Sequence, residues 1–218
     1  FQREYTEGFI DISQTPGFSM READTYQLQK FKSETSKFTV CCSANVLKYT
    51  RSFIEFLVEI TKIDNVFLTL LPFPPHYAAS NSALAKTSLR KALLDCGANQ
   101  DQIEVRESLG SRRKFLEFLS SQSLMVDSFP YPGVTTIADC LQSGTLFLCL
   151  QGKVLRNAQA ANIAHVYGLE DLILPDSQGM LKKINHFAAN QTEYQESATR
   201  FREKISSINF FDEKFFAE

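Results

Sequence analysis

A doubly wound α/β domain built on a parallel sheet is the fold this sequence predicts, and three observations carry the prediction. Strand-like and helix-like segments alternate five times between Lys37 and Gly168. The strand segments are short and wholly apolar, as strands covered on both faces must be. The connections are short, and no hairpin signal joins neighbouring strands, so the pairing is expected to be parallel through helical crossovers. A chain of 218 residues has room for one such domain with a sizeable core, or for one and a half.

The elements follow in order. Residues 1–36 are polar and weakly periodic, with a turn at Thr15-Pro-Gly17, and read as a lead-in or linker. The chain opens on Phe1 rather than Met, which suggests an interior piece of a longer protein. Phe38–Ser43 (FTVCCS) is a buried strand, and the loop Ala44–Arg51 leads into a helix with Phe53, Phe56, Leu57 and Ile60 on one face. Val66–Leu71 is the second strand, closed by Pro72-Phe-Pro-Pro75. A helix over Ser82–Leu94 ends at Gly97, and Gln102–Arg106 is the third strand. Ser111–Ser121 is a helix with Phe115, Leu116 and Leu119 inward. Leu124–Val126 is the fourth strand, ended by Asp127, and Phe129-Pro-Tyr-Pro-Gly133 is a stiff turn. A helix opens at Thr135-Thr136 and stops at Gly144, ahead of the fifth strand, Leu146–Leu150. Asn157–Tyr167 is a further helix, and everything beyond Gly168 reads as helical: Leu169–Ile173, Gln178–Asn190 and Thr192–Ile205. The main domain is thus expected over residues 37–190. Residues 191–218 form a last helix and an aromatic tail, Phe210–Phe216, that should pack against something.

Composition excludes several classes. The net charge of −2 gives no basic field for nucleic acid. No apolar run approaches the roughly 20 residues of a membrane span. The first residues hold no apolar signal-peptide core, which favours a cytoplasmic protein. The odd count of five cysteines fits buried thiols in a reducing compartment better than disulfides or a metal site. G-x-G-x-x-G, Walker, G-x-S-x-G and H-E-x-x-H motifs are all missing, and so is the D-x-D pair of metal-dependent sugar transferases.

In open parallel sheets, ligands bind beyond the carboxyl ends of the strands. The stretch Leu124–Gly152 stands out there. Its helix start joins backbone N–H groups, two hydroxyls and a glycine, which suits a phosphate or diphosphate. The plainer alternative is that Thr136-x-x-Asp139 is a capping box and nothing more. Ser111-Arg-Arg-Lys114 puts three positive charges at another helix start, where they oppose the helix dipole and would welcome an anion, unless they are simply solvated. His76, between prolines and Tyr77, reads as surface.

The run FPYPGVTTIADCLQSG, with its following strand, glycine and later YGLEDLI, resembles the C-terminal catalytic half of O-GlcNAc transferases and of bacterial adhesin glucosyltransferases. More loosely, the resemblance extends from about Phe38 to the C-terminus. It implies the C-terminal half of a GT-B fold, whose last helix crosses back towards an N-terminal half. It also implies a UDP-sugar donor, a protein acceptor, and an inverting reaction needing no metal or other cofactor. Gly133, Thr135 and Thr136 would then hold the diphosphate, and Asp139 a ribose hydroxyl. Lys48, in SANVLKYT, is similar to the family lysine that meets the leaving diphosphate. Arg112 stands near the point where the related O-GlcNAc transferases place a lysine, and the resemblance puts it among the residues that bind the nucleotide-sugar. The sequence departs from the family at three points: Tyr49-Thr-Arg51 has no proline, Phe115 replaces a histidine, and Arg156 is shifted from a serine-arginine pair. The absent histidine and the shifted arginine favour the rival, a non-catalytic scaffold on the same fold, while the intact T-T-x-x-D and Lys48 oppose it.

Overall fold

The computed structural model of the chain describes residues 37–72 and 79–206. The expected lead-in with its Thr15 turn, the loop carrying His76 and the aromatic tail lie outside those residues. Six strands form one parallel sheet in the order β3-β2-β1-β4-β5-β6: β1 (Phe38–Cys42), β2 (Val66–Leu70), β3 (Ile103–Val105), β4 (Leu124–Val126), β5 (Phe147–Leu150) and β6 (Ile173–Leu174). In register, Val40 faces Leu68 on one side and Leu124 on the other, so the three central strands meet through apolar residues.

The helices are α1 (Arg51–Ile60), α2 (Ala79–Asp95), α3 (Arg112–Ser120), α4 (Thr135–Ser143), α5 (Gln159–Val166), α6 (Ser177–Ala189) and α7 (Gln191–Ser206). From β1 the chain steps outward to β2, and from β4 it steps the opposite way to β5. Right-handed crossovers therefore put α1 and α4 on opposite faces. The packing agrees, since α1 lies against α2 and α6 while α3 lies against α4. This is the doubly wound, Rossmann-like arrangement the sequence predicts.

Local chemistry explains the boundaries. Thr50 caps α1 by accepting the Phe53 N–H, and Phe53, Phe56, Leu57 and Ile60 are buried as their spacing requires. Gly144 ends α4 at φ 68°, the left-handed conformation that a residue with a Cβ resists. Asp176 opens α6 by accepting the Gly179 N–H at 2.7 Å.

One expectation is corrected. Leu169–Ile173 is not helical: a single 3-10 turn over Glu170–Leu172 hands the chain to β6, which pairs with Cys149 and Leu150. Two residues are too few to show a strand period, and Pro175 cuts the segment short. The sheet therefore has six strands rather than five.

Helix α7 straps the domain. Tyr194, Ala198, Phe201 and Ile205, spaced four, three and four apart, are buried on one face. Its polar groups finish other elements: Tyr194 Oη donates to the Ser123 carbonyl at 2.8 Å, Arg202 Nε to that of Gly144 at 3.1 Å, and Lys204 Nζ to that of Gly168. Gly144 and Gly168 close α4 and α5, where the helix dipole favours a cation. Of the cysteines, Cys41, Cys42, Cys140 and Cys149 are buried, and Cys96, just past α2, is exposed.

Candidate functional site

The strand order reverses between β1 and β4, the switch point at which an open parallel sheet offers a ligand crevice beyond the carboxyl ends of its strands, here bordered by the loops that leave β1 and β4. The first of them carries Lys48 in a 3-10 turn, Val46–Lys48, opened by Asn45. The second runs from Asp127 to Val134 and ends at the start of α4. Phe129 anchors this second loop, standing edge-on against Phe53 at 5.1 Å and Phe56 at 5.2 Å between ring centroids. Ser128 Oγ donates to the Tyr131 carbonyl at 2.6 Å, and the Phe129–Pro130 peptide is cis.

The two loops meet on one peptide group. Lys48 Nζ donates to the Pro132 carbonyl at 2.8 Å, and the Gly133 N–H on the other side of the same peptide donates to Asp127 Oδ1 at 2.9 Å. Gly133 is buried at a spot with no room for a side chain. A Cβ there would lie 2.8 Å from Thr136 Oγ1 and 3.3 Å from Asp127 Oδ1.

Helix α4 begins immediately after. Its first residue, Thr135, is exposed, and Thr136 is half-buried. Val134 precedes it and no side chain caps it, so the Thr136–Asp139 capping box is corrected. The reason is position: Thr136 already lies inside the helix rather than at its cap, and Asp139 faces α3, where Arg112 Nη2, from the first turn, lies 2.7 Å from Asp139 Oδ1 and donates to Gln142 Oε1 at 3.0 Å. Asp139 is only 4% exposed, so this cation neutralises a carboxylate that burial would otherwise penalise. Of the other two charges in the Ser111–Lys114 cluster, Arg113 pairs with Glu117 and Lys114 is exposed. The structure thus joins Lys48 to the Gly133 loop and Arg112 to Asp139, with Thr135 and Thr136 between the two pairs on α4. Phe115 is half-buried against the core, and the loop with Arg156 is exposed beyond β5.

Asp127 is the residue that sequence reasoning passed over. It is 5% exposed, and its carboxyl is pushed up to about 7, burial outweighing the Gly133 and Ser128 N–H groups and the Lys48 charge. The signal was present in the sequence, as an acid ending an apolar strand directly before FPYPG. Around it the Cys42 thiol is pushed up to about 12, and burial also raises those of Cys140 and Cys149, so these groups are neutral. Among the described residues no group of three or more His, Cys, Asp or Glu is placed to hold a metal ion. No helix among them is long and apolar enough to cross a membrane.

The sequence matches no protein-family model and no curated protein. Solved structures do match. A mutant of the Thermobaculum terrenum O-GlcNAc transferase superposes at TM-score 0.67, with 16% identity, over 82% of this chain and 34% of that one. The complex of accessory secretory proteins 1, 2 and 3 of Streptococcus pneumoniae does so at 0.55, with 13% identity, over 87% of this chain and 35% of that one. The C-terminal CMP-Kdo binding domain of WaaA from Acinetobacter baumannii matches at 0.51, with 10% identity, over 80% of this chain and 91% of that one. At these identities the likeness establishes a fold, that of a GT-B glycosyltransferase-like half. The chain spans about a third of the length of the first two structures.

Proposed function

We propose that the chain is the UDP-sugar-binding half of an inverting, metal-independent glycosyltransferase that modifies protein side chains. The observation that carries this is the convergence, at the β1/β4 switch point, of Lys48 with Gly133 and the uncapped start of α4. Helix N–H groups and an ammonium together form a site for a diphosphate. The same contacts serve chemistry: as the glycosidic bond of the donor breaks, negative charge grows on the departing UDP, and Lys48, the Thr135 and Thr136 hydroxyls and the helix dipole meet it. Asp139 and Arg112, one turn further along, are placed for the ribose side of the nucleotide. The acceptor, and any base that deprotonates it, would come mainly from an N-terminal half, with the whole working in the cytoplasm and without a further cofactor.

A scaffold role is the second reading, and the Arg112–Asp139 pair favours it, because a ribose would have to share or displace Arg112. Calorimetric titration with UDP, UDP-GlcNAc and UDP-glucose separates the two. The enzyme reading expects UDP binding by the native chain that Lys48→Ala and Thr136→Ala both abolish. Absence of binding by the native chain and also by the full-length protein would leave the scaffold. Little or no sugar transfer to peptides is expected from this chain alone.

A further inference from the structure

The Pro132–Gly133 peptide is held from both ends by opposite charges on different strands' loops, Lys48 at 2.8 Å from its oxygen and Asp127 at 2.9 Å from its nitrogen. The ammonium proposed to meet the diphosphate is therefore already engaged on a carbonyl, and a buried carboxylate balances it across one peptide. We propose that Asp127 is a positioning residue which, opposite Lys48, clamps this peptide, and that transfer of Lys48 to a diphosphate is matched by uptake of a proton at Asp127. The proposal rests on the diphosphate reading above.

The physical reason is charge balance in a buried place. The groups facing Asp127 are Lys48 from the β1–α1 loop, the Cys42 thiol of β1, the Cys149 thiol of β5 and the Cys140 thiol of α4. Lys48 is the one cation among them. When it turns to a ligand that itself brings negative charge, the carboxylate keeps its desolvation and loses much of its compensation, so its proton affinity rises. Asp127 already titrates at about 7 with Lys48 beside it, so a modest rise protonates it at neutral pH. A protonated Asp127 can still accept the Gly133 N–H on its carbonyl oxygen, which keeps the loop in place while the charge is gone.

Two measurements test this. The Gly133 amide is followed by NMR against pH, in the native chain, in Asp127→Asn and in Lys48→Met. UDP binding is then measured calorimetrically near about pH 8 in buffers of different ionisation enthalpy, where each proton taken up adds buffer heat and affinity falls by up to about tenfold per pH unit. The clamp predicts a Gly133 titration near neutrality that vanishes in Asp127→Asn and moves upward in Lys48→Met, with up to one proton taken up per UDP bound. Should Asp127→Asn fail to fold, the upward move in Lys48→Met carries the same information. UDP binding with no proton uptake and a flat Gly133 signal would overturn the proposal. A Gly133 signal that follows Asp127, with neither the native chain nor the full-length protein responding to UDP or pyrophosphate, would instead overturn the diphosphate reading and confirm the clamp as a structural lock.

Discussion

Lys48, Asp127 and Gly133 are a few ångströms apart, yet their substitution should read out differently. Lys48 is half-buried, and its truncation removes a charged hydrogen bond together with the cation that compensates Asp127, so Lys48→Ala should destabilise the fold by about 1.5–3 kcal/mol at alkaline pH. Its UDP affinity should fall at least about tenfold, since a hydrogen bond involving a charge is worth roughly 1.5–3 kcal/mol. Gly133→Ala acts sterically instead, because its methyl meets Thr136 Oγ1 at 2.8 Å, tighter than a real Cβ contact. About 1–3 kcal/mol of destabilisation is expected, seen as a lower denaturant midpoint. Asp127 gives a pH signature. Its carboxyl lies at about 7 when folded and near the ordinary 3.8 when unfolded, so the folded chain holds the proton more tightly. Stability from this group is full below pH 3.8, falls as pH rises towards 7, and stays at its lower level above. Asp127→Asn should therefore gain on the native protein at alkaline pH and not near pH 4, in paired chemical denaturations.

At the scale of elements, the second loop of the crevice owes its shape to α1 as much as to its own prolines. Phe129 sits between two aromatic rings of that helix, and Phe129→Ala should cost about 2–3 kcal/mol and weaken nucleotide binding, although Phe129 is not among the residues proposed to hold the diphosphate. Much of this architecture was legible in the sequence. Wholly apolar strands, phenylalanines at helical spacing and stop signals at Gly97, Gly144 and Gly168 are local features, and local features are what a sequence displays. Three things were not. The two-residue β6 has no period to detect. The Thr136-x-x-Asp139 pattern looked like a cap because its spacing fits one, but Arg112 sits 27 positions earlier, and only the crossing of α3 and α4 brings it to Asp139. Asp127 was visible as a strand end, while its burial and its hold on Gly133 come from the fold of the loop after it.

The molecule as a whole is closed by α7, whose buried Tyr194 and Phe201 pack against Phe38, Phe187 and Phe147. Deleting residues 191–218 would strip that face and uncap the ends of α4 and α5, so the truncated chain should aggregate or lose its cooperative transition on heating. The distribution of sulfur has a practical consequence at the same scale. Four thiols are sealed in the core with burial holding those of Cys41, Cys42, Cys140 and Cys149 protonated, whereas Cys96 stands in solvent beyond the end of α2. A maleimide dye added to the untouched native protein should attach at that one position, as peptide mapping would verify. The chain thus supplies its own fluorescent reporter site, set on the β3 side of the sheet and away from Lys48 and Gly133, where a dye could follow the docking of the N-terminal half that the proposed function calls for.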